Sequence, residues 1–485
     1  MDNFRIPTAA SIILLFAVAT LVYAQESDVE WDILNQEAMD LYHQGKYSRA
    51  AVVAQKALEV AEENMGPDHP NVALSLNNLA ELHRTQGDYA QAEPLYKRSL
   101  AIKEKSLGPN HPSVAISLNN LALLYYTQAD YGQAEPLYRR SLAIREKSLG
   151  SDHPYVAASL NNLATLYQTQ GDYAMAEPLF QQSLAILEKA FGPDHSSVAT
   201  SRNNLALLYK SQGDYTKAEP LYKRSLAIKE KSLGPDHPNV AASLDNLAML
   251  YETLGDYAQA EPLYKRSLVI KDKALGEDHP DVAISLNKLA FFYYTQGDYD
   301  RAEPLFKRSL LILEKSLGSD HPNVAVGLNN LALLYDTQGD YTKAEPLYKR
   351  SLAIRGKSLG PDHPSVALSL NNLADLYRTQ GDHTKAEPLY KRSLSIKEKS
   401  FGLDHLEVTA SLDNLAMLYE TLDDYTKAEP LYKRSLAIKE KSLGPNHPNV
   451  ATSLKNLANV YKSMKRIEEA EELEQRAVQI RTMKR

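Results

Sequence analysis

The chain has 485 residues, 24% of them charged and 44% apolar, with a formal net charge of −7. That balance is ordinary for a soluble folded protein, and no isolated Lys/Arg block points to nucleic acid. The chain has no cysteine, which excludes disulfides, thiolate catalysis and Cys-ligated zinc and is compatible with an oxidising compartment.

The N-terminus opens with Arg5 and an apolar run over residues 12–22, and Val22-Tyr23-Ala24 offers small residues at the −3 and −1 positions of a cleavage site. This predicts a secretory signal peptide over residues 1–24, cut between Ala24 and Gln25, and hence a secreted or periplasmic protein. The run is shorter than the roughly 20 residues needed to span a bilayer. The competing expectation is an uncleaved signal anchor that tethers the protein to a membrane.

Beyond residue 25 the pentapeptide Leu-Asn-Asn-Leu-Ala recurs, intact at Leu76–Ala80, Leu118–Ala122, Leu160–Ala164, Leu328–Ala332 and Leu370–Ala374. One-residue variants fill the gaps, always at 42 residues or a multiple of it. A period of this size marks a repeat array whose core grows with each unit, which predicts one continuous domain over 25–485. Eleven units fit, with atypical capping units over 29–66 and 445–485 and regular ones over 67–444. The first unit has Val52 where the second has Pro94, and it holds the only tryptophan, Trp31.

Each unit reads as two helices. In the second, Val72, Ala73, Leu76, Leu79 and Ala80 share one face of a helix A over about residues 70–86. Gly87-Asp88 breaks the pattern, and Asp88 suits the N-cap of a helix B over 89–107. Helix B would bury Tyr89, Ala92, Leu95, Tyr96, Ser99, Leu100 and Ile102, with Glu93 and Lys97 paired on its outer side. Pro94 lies inside the second turn, so a kink or a shifted start is expected. Gly108 is placed to end the helix as a C′ glycine. His69-Pro70 suits an extended residue followed by a first helical turn.

These residues resemble the tetratricopeptide repeat (TPR). The Asn-Leu-Ala…Tyr…Gln-Gly-Asp-Tyr…Ala…Tyr spacing is similar to that motif, and the 42-residue period is similar to the longer variety of kinesin light chains. The resemblance implies an all-α fold, a right-handed α-solenoid of about eleven helix-turn-helix units and 22 helices, with the A helices lining a concave groove. It implies a non-enzymatic scaffold that binds protein or peptide segments there. The chain lacks the coiled-coil heptads that precede the repeats in kinesin light chains, which argues against a motor-cargo adaptor.

On a helical wheel of about 100° per residue, Asn78 points away from the core of its unit. Its row runs Asn78, Asn120, Asn162, Asn204, Asn246, Lys288, Asn330, Asn372 and Asn414, and Gln36 breaks it in the first unit. A carboxamide carries two donors and two acceptor lone pairs. It can grip the backbone of an extended peptide, or it can bridge adjacent A helices and bind nothing. Three residues on, Leu123, Leu207, Met249, Phe291 and Leu333 put apolar side chains on the same face. Such surface marks a partner site, unless neighbouring A helices bury it. The next position outward varies most (Arg84, Tyr126, Gln168, Lys210, Glu252, Tyr294) and is a candidate for selectivity.

Ten histidines recur, one per loop from His69 to His447, and caps or loop-ordering groups fit them better than a metal array. Ser99 and its copies read as small packing residues. Arg202 replaces a core leucine and must either carry its charge to water or loosen its unit. No phosphate loop, metal cluster or triad spacing appears. No cofactor and no small-molecule substrate are expected. The alternative to a binding scaffold is an envelope protein acting by self-association.

Overall fold

The computed structural model describes residues 26–482, with side chains from Val29 onward. The proposed signal segment and the Ala24–Gln25 cleavage point lie outside the described residues. Among those described, the chain is all helical: 22 α-helices and one 3-10 turn, Leu406–Val408, with no strand. No described helix is long and apolar enough to cross a membrane. The chain divides into two compact units, one holding residues 26–168 and 172–327, the other 169–171 and 328–482.

In each unit the helices follow as A–B pairs. In the second repeat helix A is Pro70–Thr85 and helix B is Tyr89–Leu107. The next repeat repeats the spacing, with Pro112–Thr127 and Tyr131–Leu149. Val72, Ala73, Leu76, Leu79 and Ala80 are buried as their spacing predicts, and so are Ala92, Tyr96 and Ile102. Leu95 and Leu100 are only half-buried. Each fully buried leucine contributes about 2 kcal/mol through area removed from water.

Ser99 does more than fill space. Its Oγ donates to the Ala73 carbonyl at 2.6 Å, and Ser141, Ser183, Ser225, Ser309 and Ser393 make the same bond to helix A of their own repeat. Between repeats, Tyr125 donates to Glu93 of the preceding helix B at 2.9 Å, and Lys97 pairs with the same carboxylate at 2.6 Å. The first repeat is closed differently. Ala61 occupies the site where Lys103 of the next repeat bonds Ser117, and the Trp31 indole takes Ser75 instead, at 2.7 Å.

Three local expectations change. Helix B runs through Pro94 from Tyr89, so its start is not shifted. Proline has no N–H to give the Ala90 carbonyl, so the helix continues with one backbone bond missing in its second turn. Asp88 makes no side-chain cap; its carboxylate lies 3.8 Å from His83 Nδ1. In repeats with tyrosine in place of His83, the equivalent Asp130 and Asp214 do cap helix B. Gly108 ends its helix at φ 87° and ψ 153°, a region open essentially to glycine alone, rather than in the left-handed helical region.

The A–B turn does need the left-handed region. Glycine supplies it in most repeats, but Ala129, Asp423 and Lys465 occupy it at φ 58°, 57° and 62°. A Cβ there costs about 1 kcal/mol. Ala129→Gly is therefore expected to raise the urea midpoint by up to the equivalent of about 1 kcal/mol, less the entropy glycine adds to the unfolded chain. A lowered midpoint would show that the turn is not strained.

Candidate binding face and the carboxamide ladder

Consecutive A helices approach each other, and their carboxamides join. Asn120 Nδ2 donates to Asn77 Oδ1 at 2.8 Å, and Asn162 to Asn119 at 2.7 Å. Asn204 bonds Asn161 at 2.8 Å, Asn246 bonds Asn203 at 3.0 Å, and Asn372 bonds Asn329 at 2.8 Å. Asn78 reaches Asn35 at a longer 3.3 Å. Lys288 takes the donor place with its ammonium, 2.8 Å from Asp245. These members of the row thus sit in the bridging arrangement, each donating to the residue that precedes its counterpart one repeat back, but Asn414 does not, because Asn371 gives its amide to Ser411 at 3.2 Å and its Oδ1 is buried without a partner. Asn330 is almost fully buried, whereas Asn414 is half-buried.

The acceptor residues have a second neighbour. Lys271 lies 3.4 Å from Asp245, and Lys439 lies 2.6 Å from Asp413. Lys103 and Lys229 occupy the same place in repeats whose acceptor is asparagine, and burial pushes both ammonium groups down to about 8. Asp245 is held down at about 2: burial opposes ionisation, and the two flanking lysines overcome it.

The apolar candidates Leu123, Leu207, Met249, Phe291 and Leu333 are all half-buried. Aromatic rings extend them: Phe291 lies 5.7 Å from Tyr294, which lies 5.9 Å from Tyr299. Acidic residues on this face receive tyrosine hydroxyls from helix B: Tyr96 to Glu81 at 2.7 Å, Tyr264 to Glu252 at 2.8 Å, Tyr432 to Glu420 at 3.0 Å. Asp375 accepts from Tyr390 and pairs with Arg378 at 3.5 Å. Burial, reinforced by the Asp375 charge, raises the Asp336 carboxyl to about 6.

The remaining sequence candidates are structural. His69 Nδ1 accepts from the Asn71 N–H at 3.2 Å, and His111, His195, His237 and His447 cap their helices the same way. No group of His, Asp or Glu among the described residues could hold a metal. Arg202 carries its guanidinium to the Glu188 carboxylate on the preceding helix B at 2.6 Å, while its Nη1 is buried without a partner. The ladder's acceptor row and its lysine were not singled out from the sequence. The joint appearance of Asp245 with Lys271, and Asp413 with Lys439, was the available signal.

The tetratricopeptide repeat family model matches residues 32–105, 86–147, 113–189, 155–231, 197–273, 281–357, 337–399 and 406–483. The chain belongs to the tetratricopeptide repeat family. No curated protein matches it. Among solved structures, a kinesin light chain of nearly identical TPR-like repeats from Podosopora anserina is 31% identical (TM-score 0.37), over 42% of this chain and 97% of its own. BtubC (BKLC) from P. vanneervenii is 26% identical over 48% of this chain and 92% of its own, TM-score 0.39. A Rap protein complexed with Competence and Sporulation Factor aligns over 77% of this chain and 99% of its own at 15% identity and TM-score 0.50, a likeness of fold alone. The TPR family is in general one of non-enzymatic protein-interaction scaffolds.

Two outcomes follow from the ladder's direction and from Asp336. Asn203→Asp keeps the acceptor for Asn246 and gives Lys229 a counter-charge, so its thermal midpoint should match or exceed the parent's. Asn204→Asp must turn the Asn161 amide over or set two acceptors face to face, and should lose about 1–3 kcal/mol; equal midpoints for the two would refute a directional ladder. A carboxyl raised in the folded state contributes stability that is present below its unfolded value, near 4, and lost as pH rises through about 6. Asp336→Asn should therefore stabilise at neutral pH, with the gain vanishing towards pH ~4.

Proposed function

We propose that this TPR protein is an exported, non-enzymatic scaffold that holds an extended peptide or protein segment along the concave groove lined by its A helices. One observation carries the reading. Within the unit that holds residues 26–168 and 172–327, the A-helix face keeps half-open apolar side chains, Leu123, Leu207, Met249 and Phe291, that the core of the repeats does not use, and Leu333 stands at the same position in the other unit. Apolar surface left open in a line is costly unless something covers it.

The ladder spends one N–H of each carboxamide. An asparagine has a second N–H and further acceptor capacity, so Asn120, Asn162 and Asn204 can steady a ligand backbone while they hold the next helix. Variation beside the row, from Tyr126 to Lys210 to Glu252, would set selectivity along the segment. Export rests on the apolar run over 12–22 and the Ala24–Gln25 junction.

The test is a library of extended peptides screened against the purified protein. Bound peptides should lose at least about tenfold in affinity, or about 1.4 kcal/mol, when Leu123 and Leu207 are both replaced by Gln. Val52→Gln, on an outward position that is 71% exposed, should leave them unchanged. Equal affinity in all three proteins would place the binding elsewhere. N-terminal sequencing of the protein from its native envelope should start at Gln25; a start at Met1 in the membrane fraction would favour the tethered alternative.

A further inference from the structure

Three of the capping histidines differ from the rest: His405 sets its Nε2 against the Gln170 carbonyl within one unit, and His279 and His321 make like contacts within the other. His279 and His321 are 8% and 7% exposed, while His111 stands open to solvent. What buries them is the beginning of their own unit. The His321 ring nitrogen Nε2 lies 2.9 Å from the Thr85 carbonyl, at the end of helix A of the second repeat. His279 meets the His43 carbonyl in the same way, one repeat earlier on both sides. The adjoining prolines press on the A–B turns: a Cβ built on Gly45 would lie 2.9 Å from Pro280 Cδ, and one on Gly87 2.5 Å from Pro322 Cδ. The helices Tyr47–Met65 and Tyr299–Leu317 touch beside them. Within this unit the His279–Pro280 and His321–Pro322 steps therefore close back on the A–B turns of the first and second repeats.

The hydrogen bonds fix the charge of both rings. Nδ1 accepts from a backbone N–H two residues on, Asp281 at 3.1 Å and Asn323 at 3.0 Å. Nε2 must then carry the proton it gives to the opposing carbonyl, which leaves the imidazole neutral. A second proton at Nδ1 would face the N–H it now accepts from. It would also place a positive charge at a helix N-terminus, where the dipole disfavours one. Around His279, Asp281 on its own helix favours the charged ring, and Lys271 on the preceding helix B opposes it. Across the contact, Tyr42 and Tyr47 both feel the Asp281 charge. Around His321 the influences are burial and the Thr85 carbonyl. Burial dominates in both and lowers them from the ordinary imidazole value.

We propose that His279 and His321, with Pro280 and Pro322, form a proton-sensitive clasp that holds this unit closed on itself at neutral pH and releases it on acidification. A ring lowered in the closed form keeps its contribution above the ordinary value near 6.5 and loses it as pH falls from there through the lowered value of the closed form. The clasp would give an exported scaffold a way to open its A-helix face in acidic surroundings. It goes beyond the binding proposal and does not depend on which ligand is bound.

The cysteine-free chain allows two labels to be placed alone, by Lys56→Cys and Leu311→Cys on the touching helices. The inter-label distance, read by spin-label or fluorescence transfer, should lengthen reversibly between about pH 7.5 and about pH 5.5, with helical circular dichroism unchanged. The double variant His279→Asn with His321→Asn retains a capping acceptor that does not titrate and is too short to reach the carbonyls. It should show the long distance at both pH values. Gly87→Ala should do the same as a steric wedge, since Ala129 shows that this turn position accepts alanine at positive φ. A parent distance that does not change, helix loss that parallels the lengthening, or a pH step that survives in the double asparagine variant would each overturn the clasp.

Discussion

The hydrogen bond from one A helix to the next is the constraint on which the candidate face depends. Hydrophobic burial packs helix A on helix B within a repeat, and Ser99 ties the two through the Ala73 carbonyl. Those contacts are non-directional or internal to the repeat. The bond from Asn120 to Asn77, renewed at Asn162–Asn119 and Asn204–Asn161, sets how one A helix lies beside the next. The row of half-open apolar residues is carried three positions further along the same helices, so its spacing follows from the ladder. A buried hydrogen bond between side chains contributes only about 1 kcal/mol net. Its value to a repeat array is that it recurs in a fixed direction, from Asn78 to Lys288 in one unit and at Asn372–Asn329 in the other.

That direction explains the exceptions in the sequence. At the acceptor position Asp245 replaces asparagine and still accepts, and at the donor position Lys288 replaces it and still donates, while Asp413 accepts from Lys439 on helix B instead. Gln36, in the first repeat, bonds Asp40 on its own helix.

The fold was legible from residues 26 onward because a 42-residue period and its apolar spacing leave few alternatives. Helix B in the second repeat has the limits its Gly87-Asp88 break and Gly108 indicate. The departures arise where side chains compete for local partners, as Asp88 does with His83. The site was half legible. A helical wheel separates Asn78 from the core, but it cannot show that Asn77 on the neighbouring helix turns to meet the same row. That pairing spans 43 residues and depends on the angle between repeats. The contact of His321 with Thr85 spans 236 residues and depends on that angle summed over several repeats, which no local pattern records.

The most direct test of the ladder is a double-mutant cycle on one rung, Asn161→Ala and Asn204→Ala, singly and together, followed by equilibrium unfolding. The account predicts a coupling energy of about 1 kcal/mol between the two positions, with each single change leaving its partner's polar group unpaired. Strictly additive losses would contradict it, because the carboxamides would then stabilise their own helices and not the step between them.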